Sequence, residues 1–305
     1  MAEQWRVIDL CGFEGELRST RGGVEVCPEE GVSTTIPVAE VAVVLVGMKV
    51  ALSAAVLHRL AEADVAVLFC DWRGIPEGGC YSWSDHGRVA ARHRAQAEVS
   101  LPRKKNAWAR LVRAKIEGQA SVLENLKIRG SGELLALADQ VRSGDPGNVE
   151  AQAARLYWSR ALGKGVGRQP AAGQLIGANA CLDYGYSVLR GHLMRAVLSA
   201  GLAPALGVFH RGRGNAFALA DDLIEPFRPA IDEVALVLPP TASPSDRSVK
   251  QLLVAAASQC FDRDGHGIPA VAEALAQSFG RYVEGDIDRL SVLSWQGPSV
   301  VGAGD

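Results

Sequence analysis

The sequence predicts an α+β fold in which a small β-rich N-terminal domain is followed by a larger, all-helical C-terminal domain. Up to about residue 84, apolar residues alternate with polar ones or form short β-branched runs. From about residue 85 the hydrophobic period changes to 3.6 residues and stays helical to residue 284. A length of 305 residues is typical of about two domains. We therefore predict one domain over residues 1–84 and a second over residues 85–305.

The N-terminal domain contains segments with strand-like patterns and one short helix. Arg21-Gly22-Gly23 separates two of the strands and predicts a hairpin turn. Residues 53–62 have a single apolar stripe and predict a helix, and the glycines and proline between 74 and 79 predict a turn. The predicted strands are residues 4–10, 16–18, 24–26, 34–38, 41–46 and 65–69.

The C-terminal domain contains eight segments with helical periodicity. Gly-, Pro- and Ser-rich stretches at 144–147, 163–172 and 239–245 separate several of them and predict loops. The predicted helices are residues 87–99, 107–128, 132–142, 149–162, 174–200, 220–237, 246–261 and 268–284.

Composition limits the class of protein. The longest uncharged apolar stretch covers only residues 196–209, whereas a membrane span needs about 20 residues. The N-terminus has no apolar segment of the kind that secretory signals carry. The six cysteines form no C-x-x-C pair, which disfavours a structural zinc site and fits a reducing compartment. We expect a soluble cytoplasmic protein.

A basic segment over residues 88–129 stands out in a chain of net charge −2. It contains eleven basic residues and three acidic ones, for a net charge of +8. Such a surplus is typical of a surface that binds a polyanion, because Lys and Arg release counterions when they neutralise phosphates. A solvated helix face is the alternative. We assign the DNA contacts to Arg88, Arg92, Arg103, Lys104, Lys105, Arg110 and Arg113.

Two candidate ligands stand at segment boundaries. Glu150 follows Asn148, a favourable N-cap residue, and so lies in the first turn of a predicted helix. The helix dipole alone would explain a carboxylate at that position. His210 follows an apolar run and precedes a loop rich in Gly and Arg, where an imidazole is accessible to a ligand. An ordinary surface or core histidine is the alternative.

The third candidate is an acidic cluster. Asp222 and Glu225 are spaced i,i+3, and Asp221 and Glu225 i,i+4, so a helix would crowd their carboxylates unless a cation intervened. Arg228 lies three residues further on, and Pro226 predicts a kink beside Glu225. Two carboxylates and one imidazole suit Mg²⁺ or Mn²⁺, and a metal beside a DNA surface indicates a nuclease. The spacing from 150 to 210 to 225 is not by itself a recognisable signature.

At residues 37–74, 179–190 and above all 219–229, the chain resembles the CRISPR-associated adaptation endonuclease/integrase family, the "Cas one" proteins. With Asn215 and Phe217 after His210, it is most similar to the branch that accompanies type II systems. Asp183 stands where Asn is commoner, and residues 166–175 are rich in Gly and Ala where an acidic residue is frequent.

The resemblance implies a catalytic metal site of Glu150, His210 and Glu225 with Asp222 alongside, and Mg²⁺ or Mn²⁺ as cofactor. It also implies a homodimer joined through the β-rich domains, and a complex of two such dimers bridged by a small second adaptation protein on duplex DNA. The expected chemistry is the joining of the 3′-OH ends of foreign DNA fragments to the CRISPR repeat. A non-catalytic DNA-binding scaffold and an RNA-directed nuclease are the alternatives.

Overall fold

β-Strands occupy the first part of the chain and helices the rest, which confirms the predicted α+β class. The computed structural model describes residues 6–72, 74, 76–82, 86–163, 167–170, 173–210 and 212–298. By contacts the chain divides into two units, Met1–Asp85 and His86–Asp305. The dimerising role of the first unit stays a prediction.

Two four-stranded sheets form the first unit. One has the order β1-β5-β7-β8, with β8 antiparallel to β7 and the other pairs parallel. The other has the order β4-β3-β2-β6, in which β2 and β3 form the predicted hairpin. The strands are β1 (Arg6–Leu10), β2 (Gly15–Thr20), β3 (Gly23–Pro28), β4 (Thr34–Pro37), β5 (Val41–Val46), β6 (Val50–Leu52), β7 (Ala66–Cys70) and β8 (Pro76–Cys80).

Strand β8 corrects the prediction of a turn at this glycine-rich stretch. Residues 76–80 pair with β7 at the edge of the first sheet. Glycines can form backbone hydrogen bonds at an edge because no side-chain packing is required there. Strand β6 was also not predicted, because it has only three residues. All side chains of β5 are buried, which explains why this parallel strand is a continuous apolar run rather than an alternating one.

Ten helices lie in the described residues, nine of them in the second unit. Helix α1 (Ala54–Glu62) belongs to the first unit and matches the predicted helix at 53–62. The others are α2 (Val89–Glu98), α3 (Leu101–Asn125), α4 (Ser131–Ala138), α5 (Val149–Ala161), α6 (Gly177–Ser199), α7 (Ala218–Leu223), α8 (Arg228–Val237), α9 (Arg247–Ala256) and α10 (Ile268–Glu284).

Several helix boundaries differ from the prediction, and α4 and α9 end four and five residues before the predicted ends at 142 and 261. Helix α3 begins six residues before the predicted start at 107, because Pro102 lies in its first turn, where the missing N–H costs no hydrogen bond. The predicted helix over 220–237 is two helices, α7 and α8, joined by a 3₁₀ turn at Glu225–Phe227. Pro226 within that turn accounts for the break, as expected.

Helices α3 and α6 form the middle of the second unit. α3 buries Trp108, Leu111, Ile116 and Leu123 and packs against α4, α5 and α8. α6 packs against α7, α8, α9 and α10. In the part of the chain that the structure describes, every helix is too short or too polar to cross a lipid bilayer.

Helices α6 and α8 approach closely at Gly185. A Cβ placed on Gly185 would lie 2.5 Å from Ile231 Cγ2, which is shorter than side-chain contacts allow. The glycine therefore sets the spacing of the two helices, and α8 begins directly after the turn that carries Glu225.

We predict that Gly185→Ala lowers the free energy of unfolding by about 1–2 kcal/mol, because overpacking costs about 1–3 kcal/mol and outweighs the gain of up to ~1 kcal/mol in helix propensity. Urea denaturation measures the change. Gly132→Ala on α4 is the matched control, since a Cβ there meets open space and should be neutral or stabilising. A Gly185→Ala protein as stable as the wild type would contradict this packing.

Candidate metal centre

Glu150 lies in the first turn of α5, as predicted, but the predicted cap is wrong. Asn148 has a left-handed backbone, with φ 50°, and makes no side-chain capping bond. Instead Asp145 Oδ1 and Oδ2 accept hydrogen bonds from the N–H groups of Val149 (2.9 Å) and Glu150 (3.0 Å). Asp145 thus fixes the start of the helix and the position from which Glu150 extends.

Glu225 lies in the 3₁₀ turn between α7 and α8 and is only 4% exposed. Arg228 Nε donates to its Oε1 at 3.1 Å, so the predicted neutralisation by Arg228 is present. Burial would raise the pKa of Glu225, but Arg228 and Lys115 lower it to about 2. The carboxylate is therefore charged inside the protein over the physiological range.

Lys115 of α3 joins the two glutamates. Its Nζ donates to Glu150 Oε1 at 2.7 Å and lies 2.7 Å from Glu225 Oε2. The second contact is an ion pair without well-aligned hydrogen-bond geometry. Burial alone would lower the pKa of Lys115, yet the charges of Glu225 and Glu150 raise it. The structure thus brings Glu150 and Glu225 together around one ammonium.

Asp222 holds His210. It is completely buried and accepts hydrogen bonds from the backbone N–H groups of Val208, Phe209 (3.0 Å) and His210 (3.1 Å). His210 Nδ1 lies 2.7 Å from Asp222 Oδ1. Since a carboxylate so surrounded accepts, Nδ1 carries the proton and Nε2 is left as a lone-pair donor, the arrangement of a histidine ligand with a carboxylate behind it.

The hydrogen bond to Asp222 also raises the pKa of His210, against the lowering effect of burial, and the charge of Glu225 adds to the rise. Gly207 leaves room for this arrangement, because a Cβ there would lie 2.6 Å from the His210 carbonyl and 2.8 Å from Asp222 Oδ2.

Phe209, which precedes His210 in sequence, stacks on buried Trp108 with 4.2 Å between ring centroids.

Asp221 has a different set of partners. Arg190 of α6 donates to both of its oxygens, at 2.6 and 3.1 Å, and Asn215 donates at 2.8 Å. Asp221, Asp222 and Glu225 therefore do not crowd one face of a helix, since each has its own partners. Asp221 fixes α7 against α6 and is not brought to the glutamate pair.

Arg228 is itself positioned by a buried network. Its guanidinium lies 4.5 Å from the ring centroid of Tyr186, whose hydroxyl donates to Asp232. Tyr157 of α5 donates to the other oxygen of Asp232 at 3.0 Å. Burial raises the pKa of Asp232 to about 6, although both tyrosines oppose the rise. These contacts connect α5, α6 and α8 behind Glu225.

The predicted trio is not gathered as tightly as a metal-filled site. Among the described residues, the group of three or more acidic, imidazole or thiol side chains whose ligand atoms all lie within 4.8 Å of one another is Asp262, Asp264 and His266, on a largely exposed turn. Hydrogen bonds within that turn, from His266 to Asp262, account for its shape. At the predicted trio, the Lys115 ammonium lies between Glu150 and Glu225.

The basic segment has two parts. Arg92 is 5% exposed, with Glu284, Gln277 and the Ala200 carbonyl as partners, so the phosphate contact assigned to it is wrong. Arg103 donates to the carbonyls of Tyr282 and Ile287 and stacks on the Tyr282 ring, but its side chain is 29% exposed, so the phosphate contact assigned to it stays a prediction.

The remaining assigned residues lie nearer the surface. Arg88 pairs with Glu284, and Arg113 pairs with Asp139 at 3.6 Å. Burial and the nearby Arg289 lower the pKa of Arg110. Lys104 and Lys105 have no side-chain partner within the described ranges, and Lys104 lines a cleft of about 500 Å³ that His210 also lines.

Sequence reasoning missed Lys115 and Asp145. Lys115 was counted among the basic residues of the segment, although its position four residues after Leu111 and before Gln119 places it on the buried stripe of α3. A lone lysine on an apolar stripe is the signal that could have found it. The capping role of Asp145 could not be predicted from the sequence. Its carboxylate meets the N–H groups at the start of α5 only because Asp145 and Asn148 have left-handed backbone conformations.

Comparison with known proteins identifies the family of this chain. The family model described as CRISPR associated protein Cas1 matches residues 11–241. The CRISPR-associated endonuclease Cas1 of Neisseria meningitidis serogroup C (strain 8013) is 38% identical over 206 residues, which cover 67% of this chain and 66% of that protein. The chain therefore spans slightly less than two thirds of that relative.

Two solved structures share the fold. A casposase bound to integration product has a TM-score of 0.78 and 16% identity, covering 96% of this chain and 94% of that one. A Cas6-RT-Cas1–Cas2 complex has a TM-score of 0.68 and 18% identity, covering 96% of this chain and 36% of that one. With the family model matched over most of its length, the chain belongs to the Cas1 family of CRISPR-associated proteins.

Proposed function

We propose that this chain is a divalent-metal-dependent DNA endonuclease and strand transferase of CRISPR adaptation. One observation carries the proposal: two glutamates from separate elements converge on a single buried cation, and a histidine held by a buried aspartate is coupled electrostatically to one of them. The Neisseria relative is named an endonuclease, and the casposase is bound to integration product.

The residues fit a hard divalent ion such as Mg²⁺ or Mn²⁺. Glu150 and Glu225 offer carboxylate oxygens, and Glu225 Oε2 has no well-aligned hydrogen bond that a ligand would have to break. His210 offers Nε2, with its other nitrogen fixed by Asp222. An ion held by these three would polarise a phosphodiester and stabilise negative charge on the attacking or leaving oxygen.

The chain's own residues would bind and orient the substrate. Lys104 lies in the same cleft as His210, with Lys105 beside it in sequence on an exposed part of α3, so both can contact phosphates that lead to the site. Arg228 keeps Glu225 in place through its hydrogen bond and through its stacking on Tyr186. Asp222 keeps the imidazole in one tautomer and one orientation.

The proposal includes partners. A second copy of the chain, and a small second adaptation protein that bridges two dimers, would hold a duplex between two such sites. The resemblance of the sequence supports this assembly, as does the Cas1–Cas2 complex among the structural neighbours.

We predict that Glu225→Gln, or His210→Ala, lowers Mn²⁺-dependent cleavage and strand transfer at least about a hundredfold, since either change removes a ligand. DNA binding should be nearly intact, because the basic cleft is unchanged. Gel assays with labelled duplexes measure both, and EDTA should abolish the activity of the wild type.

Glu117→Gln on α3 is the control, because Glu117 lies in the basic segment and makes no contact with the site. Full activity of Glu225→Gln would contradict the ligand assignment. A wild type that binds DNA and has no activity in Mn²⁺ would favour the scaffold function, and preferential cleavage of matched RNA would favour the RNA-directed nuclease.

We also predict that Lys104→Ala with Lys105→Ala weakens DNA binding and lowers the slope of log Kd against log salt concentration by about two, since each phosphate contact contributes about 0.9. Fluorescence anisotropy between low and physiological salt measures the slope. Lys49→Ala, which removes an exposed lysine from the first unit, should leave the slope unchanged. Wild-type affinity that does not vary with salt would contradict a phosphate-binding surface.

A further inference from the structure

Lys115 is the cation that neutralises Glu150 and Glu225 in this structure. Its ammonium contacts both carboxylates at 2.7 Å, while its side chain is only 14% exposed. It projects from α3, whereas Glu150 belongs to α5 and Glu225 to the turn before α8. One ammonium therefore connects three elements at the proposed centre.

Two carboxylates this close, of which Glu225 is buried, repel each other unless a positive charge lies between them. Arg228 contacts only Glu225 Oε1 and does not reach Glu150 in the described structure. Without Lys115, Glu150 would have no positive partner at the site, and Glu225 would lose one of its two positive partners. The ammonium thus performs the electrostatic task that a divalent ion would otherwise perform.

A metal ion and the ammonium compete for the same oxygens. Oxygens that coordinate a divalent ion lie about 2–2.6 Å from it. They therefore lie closer to one another than oxygens that are bridged by an ammonium. In the structure, the predicted trio does not close to the 4.8 Å spacing reached by the turn at Asp262.

We propose that Lys115 is an internal counter-cation that keeps the ligand carboxylates in place in the metal-free protein and is displaced when the metal binds. Lys115 is a positioning residue and not a ligand. The inference rests on the proposed function, because it takes Glu150 and Glu225 as the residues that hold the metal.

The test compares the wild type with Lys115→Met, which keeps the length of the side chain and removes its charge. The metal-free variant should melt about 10 °C lower, because buried Glu225 loses one of its two positive partners and Glu150 loses its positive partner at the site. By titration calorimetry with MnCl₂ alone, the variant should bind Mn²⁺ at least about tenfold more tightly, because nothing has to be displaced. Saturating Mn²⁺ should then restore most of the lost melting temperature.

Lys49→Met is the matched control, since Lys49 pairs with Glu14 on the surface and should change neither quantity. Equal or weaker Mn²⁺ affinity in Lys115→Met overturns the inference, and if the wild type still binds Mn²⁺, the proposed function stands. Absence of Mn²⁺ binding in both proteins overturns the proposed function together with the inference. Glu225→Gln should abolish binding and so identifies the site that calorimetry reports.

A measurement on the wild type covers the case in which Lys115→Met does not fold. Amine-reactive labelling followed by mass spectrometry should find Lys115 protected without metal and several-fold more reactive in MgCl₂, with exposed Lys49 as the internal standard. Unchanged protection of Lys115 in saturating Mg²⁺ overturns the displacement.

Discussion

The arrangement of the second unit depends on the neutralisation of one buried carboxylate. Glu225 is 4% exposed and charged, and an unpaired charge there would cost several kcal/mol. Lys115 from α3 and Arg228 from α8 supply the compensation. Because Lys115 also contacts Glu150 on α5, the same charges fix three helices relative to one another. The site and the helical core are therefore stabilised by the same contacts.

Pro226 and Asp222 give the neighbouring acids separate environments. On an uninterrupted helix, Asp222 and Glu225 would share a face and repel. The α-helix ends after Leu223 and a 3₁₀ turn begins at Glu225; Asp222 accepts hydrogen bonds from the backbone of Val208–His210, while Glu225 contacts Lys115. Each acid thus has its own partners, which removes the repulsion that the sequence pattern predicts.

Much of this could be predicted from the sequence, and the failures have physical causes. The change of hydrophobic period gave the fold class, and Pro226 predicted the break beside Glu225. The cap of α5 could not be predicted, because Asp145 reaches the helix only through left-handed backbone at Asp145 and Asn148. The edge strand β8 was missed because glycines favour turns locally, whereas pairing with β7 is a tertiary effect. Arg92 was misassigned and Lys115 was overlooked, because charge counts ignore helical phase.

Burial divides the basic segment into inward and exposed residues. On α3, Lys115 faces inward among Leu111, Val112 and Ile116, while Lys105 faces solvent. Arg92 on α2 faces inward onto Glu284. The net charge of +8 over residues 88–129 is therefore an upper bound on the charge available to phosphates, because charges already paired inside the protein release no counterions when DNA binds. Lys115 contacts the glutamates, so the phosphate contacts proposed for this segment fall to its exposed basic residues, among them Lys105 and Arg94.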